Sequence, residues 1–268
     1  MSTPGEFAGE VAENYARYRR GYRADVIGHL AAEFGLGAGA RVLDLGCGPG
    51  QLALPLAAVA GSVLGMDPSA DMLALGLAAG RRTGTSNISW VLGADRDVPT
   101  LEPLLGRESV DLVTIGTAAH WMDTDVLFRN LVPLLRPGGG IAVIANSIPV
   151  WNQRSRWALA LRELAAKWFG VRDFPSCGTS EAERERYRDE LAAAGLSVSG
   201  EQLFDYTEQL DIEQVIGSFY SAAPLDRLNS DQRPSFDGEI KNALLAAEPA
   251  GLFTEFVPVR VLTGRRVL

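Results

Sequence analysis

Asp44 ends a short apolar run and is followed at once by Gly46, Gly48 and Gly50, in Arg41-Val-Leu-Asp-Leu-Gly-Cys-Gly-Pro-Gly50. A second carboxylate, Asp67, closes the next apolar run about 20 residues beyond that loop. Glycines at such a turn let the backbone pass close to a ligand and hold conformations that other residues avoid. A carboxylate at that separation can accept hydrogen bonds from both hydroxyls of a ribose. The spacing departs from a dinucleotide fingerprint, because Gln51 follows Gly50 and the third glycine of that motif is missing. Asp44, just before the loop, would also repel a pyrophosphate.

The pair therefore suits a phosphate-free nucleoside carrying an ammonium group and a sulfonium charge, a description that S-adenosylmethionine fits. Asp44 can equally tie the loop down through backbone amides, and the two roles are compatible. His120 is the candidate catalytic residue. It follows a fourth apolar run, at the carboxyl edge where this type of sheet receives ligands, and its ordinary pKa suits a general base near neutral pH. The competing reading packs it against Trp121, where it shapes a pocket and moves no proton. His29 sits within an amphipathic helical stretch and reads as structural.

The elements that must position these groups alternate along 41–145. Apolar runs at 41–45, 62–66, 88–92, 110–115 and 140–145 read as strands. Helix-like stretches at 51–60, 69–80, 100–105 and 124–135 lie between them. The runs are free of internal proline, as strands buried on both faces must be. Pro137-Gly138-Gly139 marks a stop after the last of these helices. Two helices, 11–22 and 24–34, precede the first strand.

Beyond 147 the rhythm changes. A helix is expected over 152–169 and a charged one over 180–194, with helical patterns also near 212–221 and 236–247. Stretches 196–206 and 255–262 alternate as two closing strands. The expectation is a single α/β domain with a Rossmann-like, doubly wound, mostly parallel seven-stranded sheet. Residues 1–40 form an N-terminal helical cover, 41–145 a cofactor-binding core, 147–195 a helical insert after strand five, and 196–268 the closing strands and helices. The insert holds Trp151, Trp157, Trp168, Phe169 and Phe174. With Tyr206, Phe219 and Tyr220 it reads as a lid over an acceptor pocket, although aromatics at helical spacing are as often core.

Charge narrows the partners. The net charge is −8, and Lys167 and Lys241 are the only lysines, so the basic face of a phosphate-gripping protein is missing. No nucleic-acid partner is expected. No apolar run reaches the ~18 residues of a membrane span, and the start lacks the apolar stretch of an export signal. Cys47 and Cys177 form neither a disulfide framework nor a metal-ligand spacing, which agrees with a cytoplasmic location and no metal. Whether the chain forms a homo-oligomer is left open.

At these motifs the chain resembles class I S-adenosylmethionine-dependent methyltransferases, in the branch typified by trans-aconitate methyltransferase and natural-product methyltransferases. The resemblance covers roughly 11–145. Tyr15-Ala-Arg-Tyr-Arg-Arg-Gly-Tyr22 is similar to the family's Y-x-x-Y-R-x-G-Y segment. Residues 110–120 with Trp121 resemble its fourth strand and "HW" ending, and 131–140 its L-x-P-G-G run.

The resemblance implies S-adenosylmethionine as cofactor, with S-adenosylhomocysteine as product. The cofactor would be held by Tyr15, Tyr18, Arg19, Asp44, Gly46, Gly48, Gly50, Asp67, Pro68, Met72, Ala94, Asp95, Gly116 and Trp121. Arg19 would face the cofactor's carboxylate. One departure is Gly93-Ala94-Asp95-Arg96, where the family commonly reads Gly-Asp-Ala-Glu, which displaces the adenine-facing carboxylate to Asp95.

After the fourth run the text is Gly116-Thr-Ala-Ala-His-Trp121, with no Asn-Pro-Pro-Tyr motif of the enzymes that methylate planar amino groups. The expected reaction is methyl transfer to an oxygen or nitrogen of a small molecule. Arginine preferred over lysine and the alanine richness suggest a bacterial secondary metabolite as that molecule. The alternatives are a protein or RNA methyltransferase, which calls for a basic groove, and a non-methylating member that binds the cofactor and catalyses a cyclisation.

Overall fold

Runs of valine, leucine and isoleucine make strands that can bury both faces, and the chain uses such runs repeatedly before residue 146. The structure, a computed structural model, describes residues 7–171 and 173–267. The first six residues of the N-terminal cover, position 172 of the insert and Leu268 lie outside them.

Two helices, α1 (Gly9–Tyr18) and α2 (Ala24–Phe34), lead into β1 (Arg41–Leu45). The alternation then runs α3 (Ala53–Ala57), β2 (Ser62–Asp67), α4 (Ala70–Thr83), β3 (Ile88–Leu92), α5 (Glu102–Leu105), β4 (Val110–Gly116), α6 (Thr124–Leu131) and β5 (Leu135–Asn146). The second half contributes α7 (Arg156–Phe169), α8 (Glu181–Ala193), β6 (Leu196–Val198), β7 (Gln202–Leu203), β8 (Tyr206–Asp211), α9 (Ile212–Tyr220), α10 (Gln232–Ala247), β9 (Leu252–Val257) and β10 (Val259–Arg266).

The main sheet runs β3-β2-β1-β4-β5-β10-β6. The pairs among β1 to β5 are parallel and β10 is antiparallel to its neighbours, which makes a Rossmann-like α/β sheet. Seven strands were expected, and the two-residue β7 adds an eighth by pairing with β10.

Several boundaries move for physical reasons. The helix expected over 51–60 shrinks to α3, because the chain is still turning out of the glycine loop at 50–52. The helix expected over 11–22 ends at Tyr18, and Arg19 is already extended. Pro137-Gly138-Gly139 does not precede β5 but lies inside it. Val110 pairs with Leu135 and Leu112 with Gly140, so the intervening residues bulge out of register. Proline cannot donate to the ladder, and a bulge accommodates it.

The stretch 196–206 divides among β6, β7 and the start of β8. The stretch 255–262 straddles β9 and β10, with Pro258 between them. β8 and β9 form a separate two-stranded sheet, paired from Tyr206–Val257 to Asp211–Leu252. Apolar side chains gather in two cores, one on each face of the main sheet, and in a third formed by α7, α9, α10 and β9.

Candidate functional site

The carboxyl ends of β1, β2, β3 and β4 open on a cavity of about 390 Å³. Its wall holds Gly46 and Gly48 after β1, then Asp67, Pro68 and Met72 after β2. Gly93, Ala94 and Asp95 come from the turn after β3, and Gly116, Thr117, Ala118 and Trp121 from the segment after β4. Gly46 has a φ of 64°, and a Cβ there would stand 2.6 Å from the Ala118 Cβ. Only glycine fits this position on both counts.

Asp67 ties the loop to the next strand. Its Oδ2 accepts the Gly48 amide at 2.8 Å and its Oδ1 the Ser69 amide at 2.8 Å. Burial raises its pKa, and the two amide bonds oppose that shift. Each carboxylate oxygen retains a lone pair for a ligand hydroxyl.

The N-terminal segment crosses the mouth of this cavity. Ser69 donates its hydroxyl to the Phe7 carbonyl at 2.6 Å while accepting the Met72 amide as the N-cap of α4. The Gly9 amide donates to Asp71 Oδ2 at 2.8 Å. The Phe7 ring meets Tyr15 edge-on at 5.8 Å and Trp121 edge-on at 6.0 Å. All three rings line the cavity.

Four expected cofactor residues lie elsewhere. Asp44 is 1% exposed and faces Thr114 of β4, whose hydroxyl donates to Oδ1 at 2.8 Å. Its Oδ2 has no partner among the described residues. Burial pushes its pKa up to about 7, against the Thr114 hydrogen bond and with help from the Asp67 charge. The Gly48 amide goes to Asp67, while the Ala53 backbone, just after the loop, hydrogen-bonds Asp44 and also opposes the rise. Gly50 packs under Trp90, where a Cβ would come within 2.6 Å of the ring.

Tyr18 and Arg19 turn away to α9. The Tyr18 hydroxyl donates to Glu213 at 2.7 Å, and Arg19 Nε donates to Ser221 at 2.7 Å. Arg19 keeps one link to the site, lying 5.6 Å from the centre of the Tyr15 ring. Arg96 is exposed and outside the wall.

His120 also misses the large cavity. It stacks on Trp121 at 4.8 Å and faces the other way, toward Gly178. Burial pushes its pKa down to about 4, although the Glu183 carboxylate partly opposes the shift. The imidazole is neutral at physiological pH and a weaker base than the sequence suggests.

Residues 42–139 match the family described as a methyltransferase domain. That stretch contains the glycine loop, Asp67 and most of the cavity wall. That match assigns residues 42–139, and not the whole chain, to the methyltransferase-domain family.

An uncharacterized methyltransferase of Mycobacterium tuberculosis is 32% identical to this chain over 159 residues, covering 59% of this chain and 58% of that protein. The chain thus matches a little over half the length of that relative. A ubiquinone biosynthesis O-methyltransferase of Rhizobium etli is 29% identical over 214 residues, covering 79% of this chain and 74% of the relative. Among solved structures, a candidate type II methyltransferase of Anaeromyxobacter dehalogenans superposes with a TM-score of 0.64 at 20% identity. That superposition covers 93% of this chain and 99% of the other, and the likeness is one of fold. The narrower resemblance to trans-aconitate methyltransferase rests on sequence motifs.

Within the methyltransferase domain, sequence reading missed Leu92, which is 63% exposed yet lines the cavity from the end of β3. An apolar side chain left bare at a cavity edge is the signal that would have found it. Phe7 carried no motif at all.

The aromatic lid is a correction. None of Trp151, Trp157, Trp168, Phe169, Phe174, Tyr206, Phe219 and Tyr220 lines the large cavity. Trp157, Phe169 and Phe219 are core, with Trp168, Phe174 and Tyr220 packed among them. Their helical spacing serves the third core.

Proposed function

We propose that this chain transfers the methyl group of S-adenosylmethionine to an oxygen or nitrogen atom of a small molecule, a bacterial secondary metabolite, in the cytoplasm. The observation that carries the reading is Asp67. It is buried in the cavity wall, with both oxygens fixed by backbone amides and lone pairs left to receive the two ribose hydroxyls. The residues present fit the cofactor. Gly46 leaves the backbone bare where a side chain would intrude, and the partnerless Asp44 Oδ2 lies buried behind the loop. The wall offers no cluster of cations for a phosphate.

The bound cofactor would supply an electrophilic methyl on a sulfonium. The chain's own residues bind, orient and exclude water. Pro68, Met72 and Leu92 offer apolar surface to the adenine, while Ala94 and Asp95 meet its polar edge. Tyr15 and Trp121, with Phe7, cover the methionine end, and Gly116 lets the ligand approach the end of β4. Much of the acceleration in such a transfer comes from holding the acceptor in line with the methyl.

The named activity of the Rhizobium relative, an O-methyltransferase, supports a small-molecule acceptor. So does the acidic net charge of −8, which disfavours nucleic acid. No helix among the described residues is long and apolar enough to cross a membrane.

The test is calorimetry of S-adenosylmethionine binding to wild type and Asp67→Ala. Loss of two hydrogen bonds to a charged group is expected to weaken binding by about 2–3 kcal/mol. Unchanged affinity would remove Asp67 from the site. Incubation with bacterial extracts, followed by mass spectrometry for a gain of one methylene, identifies the acceptor.

A further inference from the structure

Helix α9 carries in its middle a glycine that its own backbone does not need. Gly217 is buried and has no left-handed φ, and glycine inside a helix is a poorer helix former than alanine. The reason for it comes from another element. A Cβ at 217 would stand 2.1 Å from Cδ2 and 2.3 Å from Cγ of Tyr18, so the ring at the end of α1 lies directly on the bare backbone of α9.

Glu213 and Ser221 lie four positions to either side of Gly217 and share its face. Glu213 accepts from the Tyr18 hydroxyl and from Arg17 Nη2, each at 2.7 Å. Ser221 is fully buried; it accepts from Arg19 Nε at 2.7 Å and donates to the Ser218 carbonyl at 2.6 Å. Three successive side chains of α1 and its cap thus meet points spaced one turn apart along α9. The Arg17–Glu213 pair is open to solvent and contributes little. The seated ring and the Arg19–Ser221 bond hold the joint.

That joint sets the position of one wall of the large cavity. Tyr15, one turn before Tyr18, lines the cavity. Its carbonyl accepts the Arg19 amide at 3.0 Å, and the Arg19 guanidinium lies 5.6 Å from the centre of its ring. The Arg19 carbonyl accepts from Gln51 Nε2 at 2.7 Å, at the exit of the glycine loop. A displaced end of α1 therefore moves Tyr15 and breaks the tie to Gln51. None of Tyr18, Glu213, Gly217 and Ser221 lines the cavity, so their effect on a ligand passes through these two contacts.

We propose that Gly217 is a positioning residue for cofactor binding, which seats Tyr18 so that α9 holds Tyr15 in the cavity wall. The inference rests on the methyltransferase reading and adds a determinant of cofactor affinity in the second half of the chain, outside residues 42–139.

The probe is S-adenosylhomocysteine, titrated by calorimetry into the whole chain. Gly217→Ala should weaken its binding about tenfold, and Tyr18→Ala by a similar factor. In the double variant the added methyl finds the ring gone, so Gly217→Ala should add nothing to Tyr18→Ala. Wild-type affinity in Gly217→Ala, with only the urea midpoint moved, would overturn the positioning role and leave a packing one. Two effects that multiply in the double variant would overturn it as well. Hydrogen exchange of the wild type tests the same coupling without any variant. Docking and binding act on each other reciprocally, so the ligand should slow exchange at 212–220, and no slowing there would overturn the proposal. Binding to the wild type without these effects sinks the positioning role alone. Failure of S-adenosylhomocysteine to bind the wild type overturns the methyltransferase reading, and the positioning role with it.

Discussion

Asp44, buried, and His120, half-buried, are two titratable groups whose proton affinities move in opposite directions, and their effects on stability oppose one another. Burial raises Asp44 to about 7, so between roughly pH 4 and 7 the folded chain holds a proton that the unfolded chain has lost. That contribution is present at low pH and disappears as pH rises. Burial lowers His120 to about 4, so between about pH 4 and 6.5 the unfolded chain holds the extra proton, and stability disappears as pH falls. Asp44→Asn should therefore make the protein lose stability more steeply on acidification. His120→Gln should make stability decline more steeply from about pH 4 toward neutrality. Urea titrations across this range check both, and parallel curves for the three proteins would show that neither group titrates as its surroundings require. The same two residues show what was legible at this scale. Gly46, Gly48, Asp67, Pro68 and Met72 could be placed because a loop and its carboxylate are close in sequence. Tyr18 and Arg19 could not, since the side chain that reaches the cavity from α1 depends on α9 packing along its other face. Tyr187 hid in a run of charged residues that reads as solvated surface, yet it and Leu191 are the buried face of α8.

Between elements, the joint that matters most is buried and ionic. Arg20, just after α1, pairs with Glu255 of β9 and, at 2.9 Å, with Glu208 of β8. Glu255 also accepts from Gln153 at 2.6 Å and from Ser147 at 3.2 Å, so one carboxylate links the N-terminal arm, the end of β5, the insert and the two-stranded sheet. Removing one member of a buried pair leaves the other charge uncompensated. Glu255→Ala should cost about 2–3 kcal/mol, less than a fully isolated pair because Glu208 remains beside Arg20. Equilibrium unfolding in urea measures it, and a cost near zero would mean that water replaces the carboxylate. Strands β1, β2, β4 and the second half of β5 were legible because burial on both faces leaves a largely apolar run, whereas β3, at the sheet edge, is half-exposed. The closing strands were not. β6 and β7 are too short to show a period, and Pro258 sends β9 and β10 into different sheets within one apolar stretch.

For the molecule as a whole, the ligand cavity borders the N-terminal segment and the sheet, while α7 and α10 build a core of their own. Hydrogen exchange should register that division. S-adenosylhomocysteine is expected to slow exchange at 7–19, 92–95 and 116–122 and to leave 156–169 and 232–247 unchanged. Equal protection in α7 and α10 would mean that the insert closes with the ligand after all. The crossing of the cavity mouth by residues 7–9 has a kinetic consequence. Two hydrogen bonds, from Ser69 and to Asp71, and the contacts of one phenylalanine hold that crossing in place. A ligand that leaves beneath it can go no faster than the crossing opens. For such an exit the residence time is set by contacts at the N-terminal segment.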